Sequence, residues 1–171
     1  MLSGKQALSR DLTPSHEHYL RAIWEVRNRR GYARLTDVAR ALEIALATLS
    51  VGLRPLEKRG LVTHDEARFL VLTAEGERLA REVHHRHEVL RTFLSRVLRV
   101  PEGIAEHEAC LIEHDISDTT TERLVDLLKL LDEDGDLKLM FRERFDDYHR
   151  SCETSGECST CGLSCLTAPP V

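Results

Sequence analysis

The stretch LVTHDEARFLVLT, residues 61–73, constrains the fold more than any other part of the chain. It is a β-rich run, a polar tip at Asp65–Arg68 and a second β-rich run, which is the patterning of a hairpin. Helical patterning stands on both sides of it. In front, Ser15 is placed to cap a helix in which Tyr19, Leu20, Ile23, Trp24 and Val26 form an apolar stripe to about Arg30, ended by Gly31. Thr36 is placed to cap a short second helix, TDVARALEI, with Val38, Ala39 and Leu42 facing inward. A third helix runs through ATLSVGLRPLEKR to Gly60, and Pro55 inside it is expected to kink it. Short helices followed by a hairpin predict a helix-turn-helix with a wing.

Behind the hairpin the patterning is helical throughout. From Thr73 to about Arg99 one long helix is expected, with Leu79, Val83, His87, Leu90, Leu94 and Val97 on its apolar stripe. Pro101 opens the next, Leu124, Leu127, Leu128 and Leu131 mark another, and Leu137, Met140, Phe141, Phe145 and Tyr148 a last one. The fold class is therefore mainly α: a winged helix-turn-helix over residues 12–73, an all-helical domain over 74–150 and a Cys-rich tail over 151–171.

Charge divides the chain in the same way. Residues 21–60 carry nine Lys/Arg against four Asp/Glu, whereas residues 101–150 carry six against fifteen. A basic front half suits a polyanion, although such a run is also what a solvated face looks like. Nothing in the sequence resembles a membrane span, and the start, MLSGKQALSRDL, lacks the apolar core of a signal peptide. A cytoplasmic protein is expected, in which five cysteines serve as thiols or metal ligands rather than disulfides.

Residues 109–117, ACLIEHDIS, set Cys110, Glu113 and His114 at i, i+3 and i+4, one face of a helix. Thiolate, carboxylate and imidazole are good transition-metal ligands, but a buried Cys beside a surface Glu–His pair has the same spacing. The wider order of parts decides between them. LTPSHEHYLRAIW, a winged helix, RHEVLRTFL and EACLIEHDIS together resemble the iron- and manganese-dependent repressors of the diphtheria toxin repressor family, over roughly residues 12–131. The resemblance implies a homodimeric transcriptional repressor, not an enzyme. Its winged helix binds double-stranded DNA at a palindromic operator, and its rear helices bind metal and dimerise. It carries the family's ligand positions onto His18, His87, Cys110, Glu113 and His114.

The departures from the family pattern bear on the metal. Cys110 matches the iron branch, where the manganese branch has a carboxylate; His18 stands where the iron branch usually has Met. Arg21 occupies the place of the manganese branch's second first-helix carboxylate, and Arg91 that of a carboxylate in the iron branch's ancillary site. Glu106, on the stripe of Cys110, is a candidate to compensate. A thiolate with two imidazoles favours Fe²⁺ over Mn²⁺. The third helix offers Thr48, Ser50 and Arg54 to bases or phosphates; Arg34, Lys58 and Arg68 lie where phosphates would be held, and Ser15 and Thr36, near the starts of the first two helices, are further DNA-binding candidates. Val51 and Gly52 replace residues that are more often polar in the family.

In the tail, Cys152, Cys158, Cys161 and Cys165 could hold an iron–sulfur cluster or Zn²⁺, or form a redox-prone segment without metal. That leaves an alternative function: an iron–sulfur or redox-sensing regulator, or an iron-handling protein, acting through the tail.

Overall fold

Thr13 precedes a proline, which biases it to extended backbone (φ −77°, ψ 157°) and leaves Pro14 at the first helical position. The Thr13 hydroxyl accepts the His16 N–H at 3.3 Å, and helix α1 spans Pro14–Arg30. The structure, a computed structural model, describes residues 12–153, with side chains to residue 147. The cap is thus Thr13 rather than Ser15, which lies inside the first turn. Gly31, at φ 81°, closes α1 by donating its N–H to the Arg27 carbonyl at 2.7 Å.

Helix α2 (Leu35–Ala41) starts two residues earlier than Thr36 would allow as a cap. The Arg34 carbonyl accepts from Asp37 and Val38, each at 3.0 Å, so Thr36 is already helical and exposed. After a left-handed Glu43 (φ 55°) comes α3 (Leu46–Lys58), which buries Leu49, Leu53 and Leu56. Pro55 lies in α3 on its exposed side, where water can serve the carbonyl that loses its donor.

The hairpin forms as expected. Strands β1 (Val62–His64) and β2 (Leu70–Leu72) pair antiparallel, Val62 opposite Leu72 and His64 opposite Leu70. Its tip is tied by the Asp65 carboxylate, which accepts the Phe69 N–H at 2.8 Å. Thr73 then caps helix α4 (Ala74–Thr92) while its hydroxyl donates to the Gly60 carbonyl at 2.8 Å, fixing the hairpin to the helix. Gly76 is needed here: a Cβ on it would stand 2.0 Å from the Leu61 carbonyl oxygen.

One core serves all these elements. Leu20, Ile23 and Val26 of α1 meet Val38, Leu49, Leu53, Leu56, Leu70, Leu72, Leu79 and Ala80. Each fully buried aliphatic side chain contributes roughly 1.5–3 kcal/mol. Past Thr92 the long helix expected to reach about Arg99 widens into a π-turn, Phe93–Val97, with Leu98 N–H reaching the Phe93 carbonyl at 3.1 Å. Helix α5 (Glu102–Ile112) lays Ala105 and Ala109 on the core and ends just before Glu113, its C-cap residue. The small alanines bring its backbone close to α4.

By compactness the chain divides after Thr121. Helix α6 (Asp118–Glu133) crosses that point, and the second unit continues into α7 (Gly135–Glu153), started by the Asp134 carboxylate accepting the Leu137 N–H at 2.9 Å. Within this unit Phe141 and Phe145 stack at 5.8 Å, while Leu130, Leu139 and Met140 are exposed. No helix among the described residues is long and apolar enough to cross a membrane.

Candidate metal centre

His18 projects from α1 towards the end of α5, and three acceptors converge on its Nε2. Cys110 Sγ lies at 3.1 Å, His114 Nε2 at 2.8 Å and Glu113 Oε1 at 3.4 Å. His114 Nε2 is itself 3.5 Å from Glu113 Oε1. Glu113 stays on the helical face because its backbone is still right-handed (φ −54°, ψ −24°) and its N–H reaches Ala109. His114 lies just beyond the helix end, so the i, i+4 spacing is met by the first residue of the turn.

Glu113 is fully buried, and among the described residues neither of its carboxylate oxygens receives a well-directed hydrogen bond. His87 Nδ1 is 2.8 Å from Oε2 but out of line, and Arg21 Nη1 is 3.7 Å away. A buried carboxylate without directed donors is costly unless a cation faces it. The Cys110 sulfur, followed by Glu113, raises the His18 imidazole from 6.5 to about 9 against the downward pull of its burial. Burial pushes the Glu113 carboxyl up; the His18 and His87 ring nitrogens and Arg21 outweigh it and hold it at about 2. One proton on His18 Nε2 cannot bond three acceptors at once. Thiolate, carboxylate and two imidazoles around one point are a donor set that a divalent transition metal satisfies.

Two residues that the sequence did not single out support this set. Glu17 is buried and its Oε2 lies 2.7 Å from His114 Nδ1, which leaves Nε2 as the nitrogen facing the centre. Arg86 donates to Glu17 Oε2 at 3.0 Å and to the Glu113 carbonyl at 2.9 Å. Position 86 completes the spacing 79, 83, 86, 90 on the buried stripe of α4, a signal that could have marked it. His87, also buried, stands behind the centre: its Nε2 is 3.1 Å from Glu106 Oε1 while Nδ1 faces Glu113. Glu106 therefore sits with His87 and with Arg91, 3.8 Å from its Oε2, and is half-exposed.

The residues expected at DNA are all on the surface. Thr48, Ser50, Arg54 and Lys58 line the exposed side of α3, opposite Leu49, Leu53 and Leu56, with Val51 among them. Ser15, Thr36, Arg34 and Arg68 are exposed too. The Arg34 guanidinium lies over the Tyr32 ring (5.1 Å) and the Phe69 ring (5.6 Å), which stack on each other. Cys158, Cys161 and Cys165 lie outside the described residues, as does the side chain of Cys152.

Comparison with known proteins agrees with this arrangement. Residues 11–70 match the model of the iron dependent repressor N-terminal DNA binding domain, and residues 73–140 that of the iron dependent repressor metal binding and dimerisation domain. The HTH-type transcriptional regulators MntR of Lysinibacillus sphaericus (strain C3-41) and Bacillus subtilis (strain 168) are each 33% identical. The first match covers 73% of this chain and 89% of the relative, the second 71% and 85%. Among solved structures, the manganese regulator SloR superposes with a TM-score of 0.62 at 28% identity, over 69% of this chain and 55% of that one. IdeR of T. acidophilum gives 0.60 at 26%, over 66% and 53%. The chain thus spans about half the length of these two solved relatives. The charged cluster at the end of α5, the exposed basic face of α3 and both domain matches lead to one conclusion: this chain belongs to the diphtheria toxin repressor family of metal-dependent, DNA-binding transcriptional repressors.

Proposed function

We propose that this repressor responds to Fe²⁺ in preference to Mn²⁺, and controls genes of metal-ion homeostasis from a palindromic operator. In this reading His18, Cys110, Glu113 and His114 hold the ion, and His87 backs Glu113. The observation that carries it is the meeting of thiol, imidazoles and a buried, under-bonded carboxylate at His18 Nε2. When bound, the ion supplies the positive charge that lets these groups pack together without a shared proton. The Cys110 thiolate supports the choice of metal: sulfur favours the softer Fe²⁺, and neither His18 nor Arg21 gives the first helix a carboxylate.

The chain's own residues convey the event to DNA. His18 belongs to the winged-helix module, residues 12–73, and its partners to the helical module, residues 74–150. The next residue, Tyr19, packs on the DNA-reading helix: a Cβ on Gly52 of α3 would stand 2.4 Å from the Tyr19 ring. Fixing α1 against α5 therefore fixes α3. In a dimer it also sets the distance between two such helices, which must match half-sites a helical turn or a multiple apart. Thr48, Ser50 and Arg54 read the groove, while Ser15, Arg34, Thr36, Lys58 and Arg68 hold phosphates.

The test is anaerobic operator binding by the dimer with each divalent ion in turn. Fe²⁺ should support binding at lower concentration than Mn²⁺, and Cys110→Glu should move the preference to Mn²⁺. An unchanged metal ranking in that variant would remove Cys110 as the selector. A His18→Ala dimer that still needs metal to bind DNA would remove the link through α1.

A further inference from the structure

We propose that Arg21 and Arg91 are built-in cations that limit this centre to a single divalent ion per chain. The inference rests on the reading that His18, Cys110, Glu113 and His114 hold an ion, and it fixes how many ions the cluster takes. Arg21 is mostly buried beside the centre. Its Nη2 donates to Cys110 Sγ at 3.5 Å, and its Nη1 lies 3.7 Å from Glu113 Oε2 and 3.9 Å from Glu25 Oε1. The guanidinium thus covers the side of Cys110 and Glu113 that His18 and His114 leave uncovered.

A second position is filled in the same manner. Next to His87 an open groove of about 480 Å³ is lined by Glu25, His84, Glu88, Arg91 and Glu106 among others, room enough for a hydrated ion. Its carboxylates already have partners. Glu25 faces His84 Nδ1 at 3.2 Å, Glu88 takes Arg91 Nη2 at 2.7 Å, and Glu106 faces both His87 and Arg91. Arg91 also pairs with Glu102. Arginine keeps its charge at any accessible pH and cannot coordinate a metal, so neither charge can be removed by deprotonation to admit an ion. A second divalent cation would have to displace a guanidinium from ligands it already neutralises. The two arginines leave His18, Cys110 and Glu113, with His114 beside them, as the group among the described residues whose ligand atoms could gather round one ion.

The experiment counts ions. The full-length dimer, stripped of metal, is equilibrated anaerobically with excess Mn²⁺ or Fe²⁺ and analysed by native mass spectrometry and titration calorimetry. One ion per chain is expected; a second saturable ion that persists when Cys152, Cys158, Cys161 and Cys165 are replaced by Ser overturns the proposal but leaves the metal-sensor reading standing. No uptake at all overturns both. Arg21→Gln removes the charge and adds only a neutral amide oxygen, so the first ion should bind at least about fivefold tighter, the scale of unit-charge repulsion at such distances. An unchanged affinity in a folded Arg21→Gln dimer overturns the role given to Arg21. Arg21→Glu should raise the count to two, and a folded variant that still takes one overturns it equally. The wild-type count decides the matter if both variants fail to fold.

Discussion

At the scale of single residues, the centre is a competition between a proton and a cation for His18 Nε2. The His18 value lies above its ordinary 6.5, near 9. Without metal, its contribution to stability is complete below pH 6.5 and fades as pH rises through about 9. Glu113 is depressed to about 2, so its contribution is present above its ordinary 4.5 and is lost as pH falls towards 2. Metal must displace the His18 proton, and its benefit should therefore grow between pH 6.5 and 9. Thermal melts followed by circular dichroism, with and without Mn²⁺, should show a metal-induced rise in Tm that increases over that range. A constant rise would mean that His18 does not exchange a proton for the ion. Glu17 offers a second check. Glu17→Gln removes the carboxylate that orients His114 and leaves Arg86 with the Glu113 carbonyl but no paired charge, so metal affinity should fall about 10–100-fold. Calorimetry showing undiminished affinity in a folded variant would assign Glu17 to packing alone.

At the scale of elements, the wing and α4 are joined by one tight approach. Alanine at position 76 would drive its Cβ into the backbone carbonyl of Leu61, which cannot rotate away. Gly76→Ala should cost on the order of 1–3 kcal/mol or more in urea unfolding. Gly52→Ala meets only the Tyr19 ring, a side chain that can swing aside, and should cost less. It should nevertheless weaken DNA binding more than folding, because it parts α1 from α3. Equal losses of stability in the two variants would contradict this difference between backbone and side-chain obstacles. The elements themselves were legible in the chain: β-rich runs gave the hairpin, and apolar spacing gave every helix. The caps were less so. Thr13 won over Ser15 because proline follows it, and α2 began at Leu35 because the Arg34 carbonyl, not a Thr36 hydroxyl, serves its first N–H groups. The π-turn at Phe93–Val97 left no mark in the periodicity, since one extra residue per turn does not disturb a stripe that short.

At the scale of the whole molecule, α5 carries two opposed surfaces. One holds Cys110 and Glu113, and the other exposes Ile104 and Leu111, seven residues apart, with Ile112 at its margin. Apolar side chains this exposed suit the dimerisation expected of the family. Leu111→Glu should dissociate the dimer, seen as a halved mass in light scattering, while metal binding to the chain survives. A dimer of full stability would move the interface elsewhere. DNA binding should weaken steeply with salt, as contacts from Arg34, Arg54, Lys58 and Arg68 to phosphates require. The sequence by itself determined the succession of helices and hairpin, because periodicity and β-propensity act over a few residues. It also displayed the ligand types, and the family resemblance assigned them to a metal. Only the tertiary structure decided which of them meet: His18 comes to Cys110 across 92 positions of chain, and Glu106 goes to His87 instead. It alone brought in Glu17 and Arg86, whose charges look like ordinary surface residues until packing buries them, and set Arg21 against Cys110 and Glu113. Local patterns say which face a residue occupies; what stands opposite that face depends on how distant elements share one core.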